Sequence, residues 1–195
     1  MNYLAHLHLG GQDPDQLLGS LYGDFVKGPL TGQFSFQTEE AIKLHRKIDV
    51  FTDAHSVVRR ALGRFPSQRR RYAGIVIDMF FDHCLARDWD QYSDVALDTF
   101  SHKVYKILED EPVLPERLKP IAPLIISEDW LGAYRNISKI GEGLHVISQR
   151  LSQPTHLIGA YEEMMDNYDS LSVDFKEFYP LLWHYARSAL SKKAV

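Results

Sequence analysis

The helical spacing of apolar residues between positions 44 and 65 constrains the fold of this chain more than any other feature. Steps of four, three, seven, four and three separate Leu44, Ile48, Phe51, Val58, Leu62 and Phe65. Such a stripe is typical of an amphipathic helix that packs against a core. No convincing strand pair, internal repeat or low-complexity segment is present elsewhere in the sequence. The chain is therefore predicted to be an all-α protein of seven to nine helices.

Two of the predicted helices carry acidic and imidazole side chains at matching positions. The first helix carries His45, Asp49 and Asp53, and the second carries Asp78, Asp82 and His83. Side chains four residues apart on a helix are neighbours, so two such carboxylates repel each other unless a cation lies between them. Carboxylates and imidazoles facing each other from two helices are typical of a metal site.

Solvation, or pairing with Arg46 or Lys47, is the commoner explanation for any single member of this set. The second helix is harder to explain in that way because Asp82 directly follows the apolar run Met79-Phe80-Phe81. A carboxylate buried among such groups requires a partner or a metal. This context favours a functional role for Asp78, Asp82 and His83.

The composition is that of an ordinary globular protein. The 195 residues are 45% hydrophobic and 25% charged, so we expect a single domain spanning 1–195. A single cysteine, Cys84, excludes an internal disulfide framework and favours the cytoplasm. The sequence contains no run of about 18 apolar residues, so no membrane span is predicted. Residues 1–10 do not resemble a signal peptide. Motifs such as GxGxxG, GxxxxGK[ST], GxSxG, HExxH and CxxC are absent.

Charge is distributed unevenly along the chain. The net charge is −4, yet nine lysines and arginines against two aspartates give residues 43–71 a charge of +7. This segment either meets an anionic partner or is merely a solvated face, and the sequence supports the two interpretations about equally. The residues assigned to partner binding are Arg59, Arg60, Arg64, Arg69, Arg70 and Arg71. No nucleic-acid partner is expected.

The first 30 residues and the last 42 contain further predicted helices. Residues 1–9 fit a strand or a short helix equally well, and a buried histidine there is more often a hydrogen-bonded core residue than a ligand. Asp13 and Pro14 begin a helix that is expected to stop at Gly28. Asp24 lies near its C-terminal end, where negative charge is disfavoured by about 0.3–1 kcal/mol, so a function or a nearby cation must explain it. Two helices are predicted at 154–168 and 174–190.

Several segments together resemble the bacterial acyl carrier protein phosphodiesterases. They are residues 1–9, the run Gly23-Asp24-Phe25-Val26-Lys27-Gly28, residues 45–53, and Asp78 with Phe81-Asp82-His83. The resemblance implies a helical fold like that of the HD-domain phosphohydrolases and a Mn²⁺ or Mg²⁺ cofactor. It also implies hydrolysis of holo-acyl carrier protein to apo-acyl carrier protein and 4′-phosphopantetheine, as part of lipid metabolism.

The resemblance also implies roles for particular residues. Phosphate oxygens would be held by Arg46 or Lys27, and the leaving serine would be protonated by His6 or by a water on Asp53. The order Asp82-His83 is reversed relative to the usual His-Asp pair of the wider superfamily, so ligand roles there cannot be copied position by position. Metal binding is assigned to a set of six, at most five of which coordinate directly: Asp24, His45, Asp49, Asp78, Asp82 and His83.

Two other functions remain open at this level. One is a phosphohydrolase of the same fold class that acts on a nucleotide or another small phosphoester, which needs no large basic surface. The other is a non-catalytic module that binds an acidic protein, which would tolerate the loss of Asp78 and Asp82.

Overall fold

Residues 1–151 and 157–191, which a computed structural model describes, fold into eleven α-helices and contain no strand. The all-α prediction is therefore confirmed. None of the described helices combines the length and apolarity needed to cross a membrane. The helices are α1 (Tyr3–Leu9), α2 (Pro14–Tyr22), α3 (Phe36–Ala54), α4 (Ser56–Gly63), α5 (Arg70–Arg87), α6 (Leu97–Asp110), α7 (Ala122–Ser127), α8 (Trp130–Ala133), α9 (Ile137–Arg150), α10 (Ala160–Asp166) and α11 (Tyr168–Ser191), with a 3₁₀ turn at Trp89–Gln91.

The described residues contain more helices than the seven to nine that were expected, because several predicted helices are shorter or divided. The continuous apolar stripe of residues 44–65 spans two helices, since His55 adopts an extended conformation between α3 and α4. Helix α2 ends at Tyr22, six residues before Gly28. Near the C-terminus, α10 begins at Ala160; the predicted start at Pro154 lies outside the described residues.

Helices α2 and α3 form a closely packed parallel pair. Ser35 caps α3, where its Oγ accepts a hydrogen bond from the backbone N–H of Thr38 (3.1 Å). The same hydroxyl donates to Asp15 on α2 (2.6 Å). A Cβ atom on Gly19 would lie 2.3 Å from the carbonyl oxygen of Thr38, so this crossing requires glycine. The cap and the glycine fix the position of α3 along the axis of α2.

Helix α5 runs through the middle of the core. Its side chains Val76, Phe80 and Phe81 are fully buried, each contributing about 1.5–3 kcal/mol through removal from water. It contacts α1, α4, α9, α10 and α11. Helix α1 packs against α2, α5 and α11, which carries the N-terminal residues into the centre of the molecule. Seven of the first nine residues thus form a helix, and its His6 is brought close to α3.

Candidate metal centre

Two histidines and an aspartate from α1 and α3 converge on one point. His6 Nε2 lies 3.1 Å from Asp49 Oδ1, and His45 Nε2 lies 3.4 Å from Asp49 Oδ2. The two imidazole rings stack with their centroids 3.5 Å apart. One ligand atom from each of these three residues lies within 4.8 Å of the other two. We call His6, His45 and Asp49 the metal cluster.

The His45 ring is fixed in one orientation by its surroundings. Its Nδ1 lies 2.7 Å from the carbonyl oxygen of Ser20, and since a carbonyl only accepts, Nδ1 carries the proton. Nε2 then faces Asp49 and is the nitrogen free to bind a cation. A Cβ atom on Gly23 would lie 2.2 Å from Cγ of this ring. Gly23 is therefore the residue that makes room for His45.

The His6 ring is buried without a hydrogen-bond partner. Its side chain is 1% exposed, and neither ring nitrogen makes a hydrogen bond, although Nε2 lies near Asp49. Burial and the neighbouring charge of His45 lower the pKa of His6 to about 4. A neutral, unpartnered imidazole beside a carboxylate is a good ligand for a divalent cation.

Charges around the cluster are strongly coupled. Burial alone would lower the pKa of His45, but Asp24 and Asp49 raise it to about 9. Burial alone would raise the pKa of Asp49, but His45 and His6 hold it well below its usual range. Both carboxylates are therefore ionised, and a cation at the cluster would replace the proton that His45 carries.

Asp24 adjoins the cluster on its open side. Its Oδ1 lies 3.7 Å from His45 Nε2, and contact with His45 lowers its pKa despite the opposing effect of burial. The side chains of Asp24 and Asp49 are 42% and 43% exposed, whereas those of the two histidines are almost completely buried. The two imidazoles thus form the buried side of the cluster, and Asp49 and the adjoining Asp24 face solvent.

The acidic residues of α5 were predicted to complete this site, but the structure places them elsewhere. Both oxygens of Asp82 accept hydrogen bonds from the backbone of α1 and the residue before it, namely from Asn2, Leu4 and Ala5. Burial raises the pKa of Asp82 to about 7, against the effect of those donors and of the N-terminal amine. Asp78 pairs with the amino group of Met1 (2.7 Å). Their spacing on α5 is as predicted, but α1 lies between them and α3.

His83 is likewise held by groups outside the cluster. Its Nδ1 donates to the carbonyl oxygen of Tyr134 (2.8 Å), and its Nε2 contacts the hydroxyl of Tyr168 (2.9 Å). Both ring nitrogens are therefore occupied by protein groups. The ring helps to fasten α5 to the chain around Tyr134 and to α11.

The residues predicted to hold phosphate and to transfer protons differ in their surroundings. Arg46 donates to the carbonyl oxygens of Val26 (2.9 Å) and Gly28 (3.0 Å), which fixes this loop over α3. Lys27, in the same loop, is exposed. Asp53 is exposed one turn beyond Asp49, and burial together with the charge of Asp78 raises its pKa.

The six arginines predicted to bind a partner fall into two groups. Arg60 and Arg64 both contact Asp174, a fully buried carboxylate on α11. Arg69 is buried and pairs with Glu163 on α10. Arg59, Arg70 and Arg71 are exposed. Three of these six arginines therefore tie parts of the chain together, which a charge count along the sequence does not reveal.

Sequence patterns identified only part of this site. The spacing of His45 and Asp49 on one helix predicted their proximity, whereas His6 was assigned to proton transfer and not to metal binding. Ser20 was not identified, and Gly23 appeared only as part of the run that carries the family resemblance, without a role of its own. A pocket of about 460 Å³ between α9 and α10, lined by Gly141, Leu144 and Tyr161 among others, contains none of the predicted site residues.

Fold and site define a class of protein: an all-α chain with a cluster of two buried imidazoles and one partly exposed carboxylate that is suited to a divalent cation. The family model described as acyl carrier protein phosphodiesterase matches residues 1–182. The chain belongs to the acyl carrier protein phosphodiesterase family.

Individual relatives match along nearly their whole length. The acyl carrier protein phosphodiesterase of Yersinia enterocolitica is 34% identical, with 96% of this chain and 98% of the relative covered. That of Serratia proteamaculans is 35% identical with the same coverage. That of Escherichia coli O6:H1 is 35% identical with both chains covered completely. No solved structure gives a significant match. The family resemblance is confirmed, whereas kinship with HD-domain phosphohydrolases stays a prediction.

Proposed function

We propose that this chain hydrolyses holo-acyl carrier protein to apo-acyl carrier protein and 4′-phosphopantetheine at a divalent cation held by the metal cluster. The convergence of His6, His45 and Asp49 is the observation that carries this proposal. The relatives named as acyl carrier protein phosphodiesterases supply the substrate. In this reaction water adds to phosphorus, the bond from phosphorus to the serine oxygen breaks, and that oxygen takes up a proton.

The donor set of the cluster fits Mn²⁺ or Mg²⁺. Its ligands are one carboxylate and two imidazoles, one of which is buried without any hydrogen-bond partner. Carboxylates suit Mg²⁺ and Mn²⁺ alike, while imidazole nitrogens favour Mn²⁺ of the two. When bound, the cation would neutralise the phosphoryl oxygens and increase the acidity of water. Asp24 is the proposed further ligand because it adjoins His45.

Other residues around the cluster take positioning and proton-transfer roles in this proposal. Lys27 is exposed and available to a phosphate oxygen, whereas Arg46 is bound to two carbonyl oxygens and supports the loop that carries Lys27. Asp53, whose pKa is raised, is the proposed source of the proton for the serine oxygen. His6 moves from that role to metal binding because its ring faces Asp49.

A row of half-buried aromatic rings beside the cluster offers a path for the pantetheine arm. Tyr3 stacks with Phe25 at 6.1 Å and with Trp130 at 6.3 Å between centroids. Phe25 directly follows Asp24, and Tyr3 lies one helical turn before His6. Aromatic faces pack well against the methyl and methylene groups of the uncharged arm. We place the arm along these three rings.

The openness of the cluster favours a protein substrate over a small phosphoester. Asp24 and Asp49 are each more than 40% exposed, so the site meets its substrate at the surface. Acyl carrier proteins are strongly acidic, and Arg59, Arg70 and Arg71 are the exposed arginines of the basic segment that form no ion pair within the described part of the chain, so they are available to attract them. Arg60, Arg64 and Arg69 are no longer proposed as contacts with the partner.

The contacts between the first and last helices, α1 and α11, support one domain for the whole chain. We keep the cytoplasm as the proposed compartment because the single cysteine, Cys84, is a buried free thiol, as expected where thiols stay reduced.

Product identification tests this function. Purified protein is incubated with holo-acyl carrier protein and Mn²⁺, and the products are weighed by mass spectrometry. We expect apo-carrier and 4′-phosphopantetheine from the wild type and neither product from Asp49→Asn. A wild-type protein that leaves the carrier intact but cleaves a small phosphoester would support the rival phosphohydrolase. Binding of the carrier without any cleavage would support the non-catalytic module.

A further inference from the structure

We infer that Asp82 is a positioning residue for the metal cluster: it clamps the N-terminal end of α1 and thereby sets the place of His6 opposite His45 and Asp49. This inference rests on the proposed metal cluster. It gives Asp82 a role different from the direct metal coordination predicted from the sequence.

The clamp consists of three backbone hydrogen bonds to one carboxylate. Asp82 Oδ2 accepts from the N–H of Leu4 (2.7 Å), and Oδ1 accepts from the N–H groups of Asn2 (3.2 Å) and Ala5 (3.3 Å). The first N–H groups of a helix have no partner within it, and a carboxylate there also interacts favourably with the helix dipole. Asp82 is completely buried, so water cannot take over these bonds.

His6 depends on this clamp more than His45 does. Neither ring nitrogen of His6 makes a hydrogen bond, so its position is set by the backbone of α1, by stacking on His45 and by the 3.1 Å contact of Nε2 with Asp49. Helix α1 is only seven residues long, and its residue Ala5, which bonds Asp82, is the immediate neighbour of His6. His45 is instead oriented by Ser20 on α2. Loss of the clamp should therefore act on the cluster through His6 alone.

A double-mutant cycle on metal affinity tests this coupling without using any substrate. Mn²⁺ binding is measured by the loss of the free-ion electron paramagnetic resonance signal for wild type, Asp82→Asn, His6→Ala and the double variant. We expect Asp82→Asn to weaken Mn²⁺ binding about 10-fold or more, the effect typical of groups that orient ligands. The double variant should bind no more weakly than His6→Ala, because the clamp acts only through His6.

A matched control comes from Asp174 on α11, which among the described residues is the other fully buried aspartate but is held by two arginines. Asp174→Asn should lower the melting temperature through its lost contacts with Arg60 and Arg64, yet leave Mn²⁺ affinity within about 2-fold of wild type. If Asp82→Asn does not fold, Asp82→Glu replaces it in the cycle. The glutamate keeps the charge and displaces α1 by one methylene, so it should also weaken binding, again only while His6 is present.

Several results would overturn the inference. Additive losses in the double variant would make Asp82 a ligand or an independent contributor. An unchanged Mn²⁺ affinity in folded Asp82→Asn or Asp82→Glu would reduce the clamp to a structural feature. Failure of the wild-type protein to bind Mn²⁺ would refute the metal cluster on which the inference rests. The cycle is independent of the proposed reaction: a protein that shows this pattern but leaves the carrier protein intact would refute the function and keep the clamp.

Discussion

At the scale of single residues, the site depends on small groups that keep two rings in place. His45 is oriented by one carbonyl oxygen, and its ring fits because Gly23 has no side chain. His6 has no hydrogen bond to orient its ring, which touches a polar group only at Asp49, so its backbone must be placed accurately. Residues that do not themselves bind the cation, such as Ser20 and Gly23, therefore decide whether the cluster can bind one.

Gly23→Ala tests the space beside His45. The new Cβ would lie 2.2 Å from the ring, so the ring must move, and Mn²⁺ affinity should fall about 10-fold or more. Gly63→Ala is the control, since its Cβ would meet nothing within 4 Å; it should leave Mn²⁺ binding unchanged and stabilise α4 slightly. Equal Mn²⁺ affinity in Gly23→Ala and wild type, by calorimetry, would show that His45 is not needed in this position.

A second prediction at this scale concerns buried histidines outside the cluster. Burial lowers the pKa of His8 and of His83 below the ordinary value of 6.5. Below pH 6.5 these histidines are protonated in the unfolded chain but stay neutral in the folded protein. Their contribution to the free energy of unfolding is therefore complete above pH 6.5 and is lost as the pH falls toward the lowered pKa values.

Urea unfolding of metal-free protein at pH 7.5 and 5.5 measures this loss. His8→Gln should lose less stability than wild type between the two pH values, by at most about 1.4 kcal/mol for one histidine over one pH unit. The same loss in both proteins would mean that His8 is protonated equally readily in the folded and unfolded states.

At the scale of helices, the sequence predicted which residues share a face of one helix. It did not predict which helices pack against each other. Spacing placed His45 and Asp49 on one face of α3 and predicted helix α5 with its buried face. It could not show that α1 lies between α5 and α3, because nothing local records which helices become neighbours. Asp78 and Asp82 were therefore grouped with α3 although they face α1. Arg64, the residue directly after α4, was counted as surface although a carboxylate 110 residues away holds it.

Exchanging arginines for glutamine separates the two groups of the basic segment. Arg64→Gln removes a partner of the buried Asp174 carboxylate and should lower the melting temperature by about 5 °C or more. Arg59→Gln, Arg70→Gln and Arg71→Gln together should leave the melting temperature unchanged and raise KM for the carrier protein, more so at low salt. A raised KM in Arg64→Gln without loss of stability would return that residue to the docking surface.

The aromatic row is tested by comparing two forms of the carrier protein. Under chelation, to prevent turnover, wild type should bind holo-carrier more tightly than apo-carrier because only the former has the arm. Trp130→Ala should reduce this difference by about 10-fold while its affinity for apo-carrier stays the same. Trp183→Ala on α11 is the matched control, being another half-buried tryptophan. An unchanged preference in Trp130→Ala would place the arm elsewhere.

At the scale of the whole molecule, the fold assembles one centre from distant parts of the chain. Helix α1 brings His6, the α2–α3 pair brings His45 and Asp49, and α5 supports α1 from behind through Asp82. The carboxylates open to solvent, and exposed cations lie on α4, the loop after α2 and the start of α5. This arrangement suits a site that accepts a phosphodiester presented by another protein.

Turnover of holo-acyl carrier protein as a function of Mn²⁺ concentration, starting from metal-stripped protein, tests the central claim most directly. We predict no cleavage without metal, and a rise with Mn²⁺ whose midpoint matches the dissociation constant measured by direct binding. In His45→Ala both midpoints should shift together to higher concentration, because the same ligand serves binding and catalysis. Full turnover by the metal-stripped protein would contradict the account.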